Sequence, residues 1–186
     1  NLSFLEGSAI MTIGDQAFGE SGIATLRGVE NVRKIGDYAF FACVDLRTIE
    51  GLGCEEMGTF CFAGCTLLQS IKGWPASMTV IPECCFAHCT GMTTVDCDLS
   101  HVTSIVGDAF YGCTSLLPPS LSARDADPAA VLAFLKRKSF LERAPERRAF
   151  LCSLKSAHSG YYNRTGDPCG ASRRIIMEFA GLFPAA

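Results

Sequence analysis

The chain has 186 residues, 48% of them hydrophobic, and a formal net charge of −3. A chain of that length buries roughly 70% of its unfolded surface and needs no disulfide to fold. No uninterrupted apolar run approaches the ~20 residues of a membrane-spanning helix, and no signal or transit segment is visible, although a chain that begins inside a repeat could have lost one. The charge is split: up to Leu116 five basic residues stand against thirteen acidic ones, a balance of −8, and from Leu117 onward eleven stand against six, a balance of +5. The two parts are suited to each other, or the basic part to an acidic partner.

In chain order, residues 1–7 already carry the end of a motif that recurs through the first two thirds of the sequence. Leu2 and Leu5 fall on Leu46 and Ile49 of its best copy, Ile35 to Gly51. The chain therefore starts inside a repeat, and we expect further repeats before Asn1 or a partner over that end, because an open end exposes core and a strand edge. The register is set by Phe18, Phe40, Phe62, Phe86 and Phe110, spaced by 22, 22, 24 and 24 residues. Five positions before each stands Ile13, Ile35, Met57, Ile81 or Ile105, and just before each a small residue, Ala17, Ala39, Cys61, Cys85 or Ala109. Three positions after stands Cys43, Cys65, Cys89 or Cys113, with Ser21 or Gly22 in the first copy. An apolar pair follows: Ile23/Leu26, Leu46/Ile49, Leu68/Ile71 and Met92/Val95. Apolar columns at a fixed period of this length mean a solenoid, since one unit cannot bury its own apolar face. The pair column predicts one strand per repeat, stacked as a parallel sheet. Its outward column reads Glu6, Arg27, Glu50, Lys72, Asp96, so each charge meets an opposite one on the next strand. A face balanced in this way is expected to leave partner binding to the edge near Phe4, the outer loops or the basic tail.

These residues resemble the leucine-rich repeats of the bacterial surface-antigen (BspA-like) type over about residues 1–118. The resemblance implies an α/β repeat solenoid, right-handed and gently curved, with a short-stranded parallel sheet, and a use in protein interaction without an activity. We expect a solenoid over 1–118 and a helical C-terminal cap or docking region over 119–186.

Eleven cysteines are present. Six occupy the Cys and small columns, Cys54 sits in an apolar column and Cys97 replaces a glycine, all places for small buried thiols. In-register side chains point the same way, which opposes bridging, and reduced thiols favour an intracellular, reducing compartment; the cell surface follows instead if a signal was lost upstream. Asn1-Leu-Ser3 and Asn163-Arg-Thr165 match the glycosylation pattern, a triplet common by chance.

Pro118 and Pro119 stop the sheet. Asp127-Pro128 reads as an N-cap and first helical position, with Val131, Leu132 and Leu135 as the apolar stripe and Lys136, Arg137 and Lys138 at the negative end. Ser139 to Glu142 fits a capping box opening a second helix. Pro145 then interrupts or restarts it, Phe150, Leu151 and Leu154 face one way up to Gly160, and a last helix spans roughly 171–182.

Cys61-x3-Cys65 and Cys85-x3-Cys89 have the look of a four-thiolate zinc site, yet all four lie on repeat columns and periodicity accounts for them. We expect no metal and no cofactor. His88, His101 and His158 fall in no nucleophile or zincin motif, and Cys152 and His158 are spaced so as not to face each other, which argues against an enzyme. Arg143, Arg147, Arg148, Arg173 and Arg174 lack interleaved aromatics and are mixed with acids, which argues against nucleic acid. The expected function is a non-catalytic protein-protein interaction module or scaffold, the alternatives being an architectural subunit of a large complex and an adhesin-like surface protein. Candidate partner-contact residues are Phe4, Lys136, Arg137, Lys138, Arg147, Arg148, Arg173 and Arg174.

Overall fold

The structure, a computed structural model, describes residues 4–6 and 10–142. Each repeat contributes a three-residue strand: β1 Phe4–Glu6, β3 Thr25–Arg27, β5 Thr48–Glu50, β7 Ser70–Lys72 and β9 Thr94–Asp96. They form one parallel sheet in the order β1-β3-β5-β7-β9. The predicted register holds: Leu5, Leu26, Ile49, Ile71 and Val95 lie side by side.

The sequence reading missed a second strand in every repeat. The column Ile13, Ile35, Met57, Ile81, Ile105 ends two-residue strands, β2 Thr12–Ile13, β4 Lys34–Ile35, β6 Glu56–Met57, β8 Val80–Ile81 and β10 Ser104–Ile105. These make a three-stranded ladder, β2-β4-β6, and a two-stranded one, β8-β10. The break falls where the fourth repeat gains two residues between its strands, around Trp74-Pro75. Trp74 turns inward, donates its indole N–H to the Met78 carbonyl at 3.0 Å and meets the Phe86 ring edge-on at 6.0 Å.

Between the second strand of one repeat and the first strand of the next, the chain makes an arc around the Phe column. Its amides take two routes. The N–H groups of Gln16, Phe18 and Glu20 donate to the carbonyls of Asp37, Ala39 and Phe41 in the next rung at 2.7–2.8 Å, and Tyr38, Phe40 and Ala42 do the same to Thr59, Cys61 and Ala63. The amides in between turn back on their own arc, as from Gly19 to Gln16 and from Phe41 to Tyr38. This alternation needs left-handed backbone two residues before the Phe, at Gln16, Tyr38, Phe60 and Cys84, and two after it, at Glu20, Ala42, Gly64, His88 and Gly112. Of these positions only Gly64 and Gly112 are glycines, so the ladder holds several ordinary side chains in a costly conformation.

The interior is the predicted stack. Phe40, Phe62 and Phe86 are fully buried, and successive rings of the column lie 5.2–5.6 Å apart from Phe18 through Phe110. Phe18 itself is half-buried.

Beyond the last rung, Pro118 and Pro119 stop the sheet as expected. The cap begins before any helix: Gly112 donates its amide to the Ser122 carbonyl at 2.8 Å, the acceptor that a further rung would supply, and Asp125 N–H donates to the Asp108 carboxylate at 2.9 Å. The helix α1, Pro128–Glu142, then packs against β9 and β10. Asp127 caps it through Ala129 and Ala130, at 3.1 and 3.3 Å, and Val131, Leu132 and Leu135 are buried. Helix and rungs share a compact unit spanning Asn1–Arg143. Ser139 does not open a second helix. It is buried inside α1 and donates its hydroxyl to the Cys97 carbonyl. Lys136, Arg137 and Lys138 consequently lie before the last turn, which holds no basic residue. The helices expected beyond Glu142 lie outside the described residues.

Candidate interaction surface

Several outward charged groups of the five-stranded and three-stranded sheets pair with neighbours in the next rung. On the five-stranded sheet the Glu50 carboxylate takes Arg27 Nε at 3.2 Å and Lys72 Nζ at 2.9 Å. The hydrogen bond from Lys72, then the charge of Arg27, holds Glu50 below its usual range. On the second ladder Arg33 pairs with Glu55, and Lys34 with Glu56 at 3.0 Å, which raises Lys34. This second charge ladder was not foreseen, because the strands that carry it were not. Its signal was in the sequence: Arg33-Lys34 and Glu55-Glu56 are 22 residues apart.

The Cys column has a common chemistry. Each thiol donates to the carbonyl of the Phe one rung back: Cys43 to Phe18 at 3.0 Å, Cys65 to Phe40 at 3.3 Å, Cys89 to Phe62 at 3.2 Å and Cys113 to Phe86 at 3.0 Å. Ser21 is the counterpart in the first copy, with its hydroxyl 3.4 Å from Cys43 Sγ. Desolvation pushes Cys54 and Cys113 up to about 12, and Cys61, Cys85 and Cys89 well above the usual thiol range. Cys54 and Cys85 turn to methionine sulfurs, of Met78 at 3.6 Å and Met57 at 3.4 Å. The two Cys-x3-Cys pairs are buried in the core, and among the described residues no cluster of three or more His, Cys, Asp or Glu is placed to hold a metal ion. His88 stands edge-on to Tyr111 at 4.8 Å, and His101 bonds the Pro75 carbonyl at 3.0 Å.

The predicted contact residues are scattered. Phe4 lies on the backbone of β1, opposite Thr25. Lys136 reaches the Ser100 carbonyl at 3.4 Å, so it ties the helix to the last rung. Arg137 is exposed and Lys138 half-buried on the same helix. Arg147, Arg148, Arg173 and Arg174 lie outside the described residues.

Sequence reasoning passed over the outer face of the arcs. There Tyr38 stacks on Phe60 with centroids 4.9 Å apart and planes within 3°, and Phe41 meets Tyr38 edge-on at 5.6 Å. All three rings are half-buried. In the last rung Tyr111 occupies the position of Phe41, and the Arg124 guanidinium lies 4.9 Å above its ring. These side chains sit off the Phe column by one or two residues; Tyr38 and Phe60 share a column that other rungs fill with Gln16, Cys84 and Asp108, and Phe41's column holds Gly19, Ala63 and Ala87, so no aromatic column runs through the repeats.

Among the described residues no helix is long and apolar enough to cross a membrane. The comparison with curated proteins returns no match. Among solved structures the chain is similar to a leucine-rich repeat protein from Eubacterium ventriosum ATCC 27560, with a TM-score of 0.56 and 21% identity over 62% of this chain and 32% of that one. The chain thus spans about a third of that protein, and at this identity the likeness speaks for the fold alone. The family described as the BspA type leucine rich repeat region, in 6 copies, matches residues 4–121, and with its stacked rungs the chain belongs to that leucine-rich repeat family.

Proposed function

We propose that the chain is a non-catalytic protein-interaction module or scaffold. Membership of the leucine-rich repeat family supports a protein-interaction or adhesin-like role in general. The observation that carries the narrower reading is the lateral pairing of polar groups. Glu50 with Arg27 and Lys72, and each column thiol with a Phe carbonyl, stiffen a regular surface instead of converging on a reacting atom. Among the described residues no cysteine is in a disulfide, which supports a reducing compartment as part of the same proposal. The test is purification of the tagged full chain from its own cells with mass spectrometry of what accompanies it. A partner at fixed, saturable stoichiometry is expected. Substrate turnover by the purified chain, or no partner above an untagged control, would remove the reading.

A further inference from the structure

The half-buried rings of Tyr38, Phe41 and Phe60 are not required by the rung. Tyr38 and Phe60 occupy left-handed positions that Gln16 and Cys84 fill in neighbouring rungs, where a small or flexible residue costs least. Phe41 occupies a position that Gly19, Ala63 and Ala87 fill. Large rings held in such places, stacked on one another and left partly open, form an apolar shelf on an acidic outer face.

Carboxylates border it. Asp37, next to Tyr38, accepts the Thr59 amide at 2.7 Å, beside Phe60, and Asp15 accepts the Asp37 amide at 2.9 Å. Lys34 is the basic group whose charge reaches Asp15 and Asp37, and its ammonium is held by Glu56.

The molecule also shows how this face takes a cation. In the last rung the cap lays Arg124 over Tyr111, at the position equivalent to Phe41, beside Asp108, whose carboxylate holds the Asp125 amide. A flat guanidinium suits both surfaces at once, an aromatic face below and carboxylates at the edge, where a strongly hydrated ammonium suits them less.

We propose that the shelf of Tyr38, Phe41 and Phe60, with Asp15 and Asp37 at its rim, docks an arginine-bearing segment of a partner protein, the guanidinium lying on the rings as Arg124 lies on Tyr111. This rests on the reading of the chain as an interaction module and names the surface and the chemistry of its partner.

The probe is a labelled peptide, acetyl-Gly-Ser-Arg-Gly-Arg-Ser-amide, titrated against the full chain and followed by fluorescence anisotropy. Its affinity is expected to fall severalfold when lysine replaces arginine and to vanish with citrulline. The double variant Phe41→Ser/Phe60→Ser should weaken it at least tenfold. Asp15→Asn/Asp37→Asn, which keeps the oxygens that cap the Asp37 and Thr59 amides, should weaken it at least fivefold at an unchanged unfolding midpoint, and so covers a failure of the ring variant to fold. Absence of binding, equal affinity for the lysine peptide, or indifference to both variants would overturn the proposal. So would concentration-dependent dimerisation lost in the ring variant, which makes a second copy the occupant. A tenfold gain in peptide affinity on Arg147→Glu/Arg148→Glu would make the chain's own tail the occupant and overturn it too. A stoichiometric partner still captured by both shelf variants overturns this inference while the proposed function stands.

Discussion

Cys89 donates its thiol to the carbonyl oxygen of Phe62, 27 residues earlier, at 3.2 Å, and both groups are fully buried. The bond explains why a Cys rather than an Ala recurs here: the Phe carbonyl points inward, and an unmet buried acceptor is expensive. Cys89→Ala is expected to cost about 1–3 kcal/mol in urea unfolding. Cys89→Ser, which keeps a donor as Ser21 does in the first rung, should cost less. A larger loss for Ser than for Ala would show that the thiol is there for its apolar bulk alone.

The same burial sets reactivity. Cys84 is half-buried, whereas Cys61, Cys85 and Cys89 are buried and held protonated by desolvation. Cys84 is raised too, chiefly by burial and then by Glu83, so it reacts slowly for an accessible thiol. In native protein at pH 8, iodoacetamide should modify Cys84 before any other described cysteine, as peptide mapping can read. Early modification of Cys61 or Cys89 would mean that the rungs open locally.

The Asp127 cap is worth about 1 kcal/mol, within a usual range of roughly 0.5–2. Asp127→Ala should lower stability by that amount, and because α1 covers the last rung, it should first expose the helix to proteolysis. Cleavage appearing first in the rungs would contradict that order.

The solenoid, its register and the burial of its columns were legible because they repeat: Leu26, Ile49, Ile71 and Val95 recur every 22 to 24 residues and pair side by side. What was missed does not repeat, or repeats too briefly. A two-residue strand such as Lys34–Ile35 has no alternation to detect, and its partners become visible only once the arcs have set the distance between rungs. Ser139 resembled an N-cap because the local pattern Ser-x-x-Glu is the same whether or not a helix is already running; the Cys97 carbonyl, 42 residues away, decided it. The aromatic shelf escaped because Tyr38, Phe41 and Phe60 lie in columns that most other rungs fill with non-aromatic residues.

The Glu50 bridge predicts a pH dependence. Glu50 is held below its usual 4.5, first by the hydrogen bond from Lys72. Its contribution to stability is therefore present above that value and lost as pH falls through the lower, folded-state pKa. Glu50→Gln should be less stable than the wild type at pH 7, with the gap closing in acid below pH 4.5. Glu50→Lys should be worse at neutral pH, through repulsion from Arg27 and Lys72, without loss of partner binding. A gap that ignores pH would show that the carboxylate's charge is not what stabilises the bridge, and binding lost at unchanged stability would place the interaction surface on the sheet.

The Phe column makes the final test, because its members differ in place and not in chemistry. Phe62 is fully buried, with Phe40 5.2 Å away on one side and Phe86 5.6 Å away on the other. Phe18 is half-buried and stacks on Phe40 at 5.3 Å. Truncating Phe62 to Ala removes a ring that two neighbours enclose, and the backbone ladder around it, Phe40 to Cys61 and Phe62 to Cys85, prevents collapse into the space. That should cost about 3–5 kcal/mol. At Phe18 less of the ring's surface is withdrawn from water, so Phe18→Ala should cost about 1–2 kcal/mol. Urea unfolding of both variants reads the difference. Equal losses would mean that Phe18 is as enclosed as Phe62 in solution.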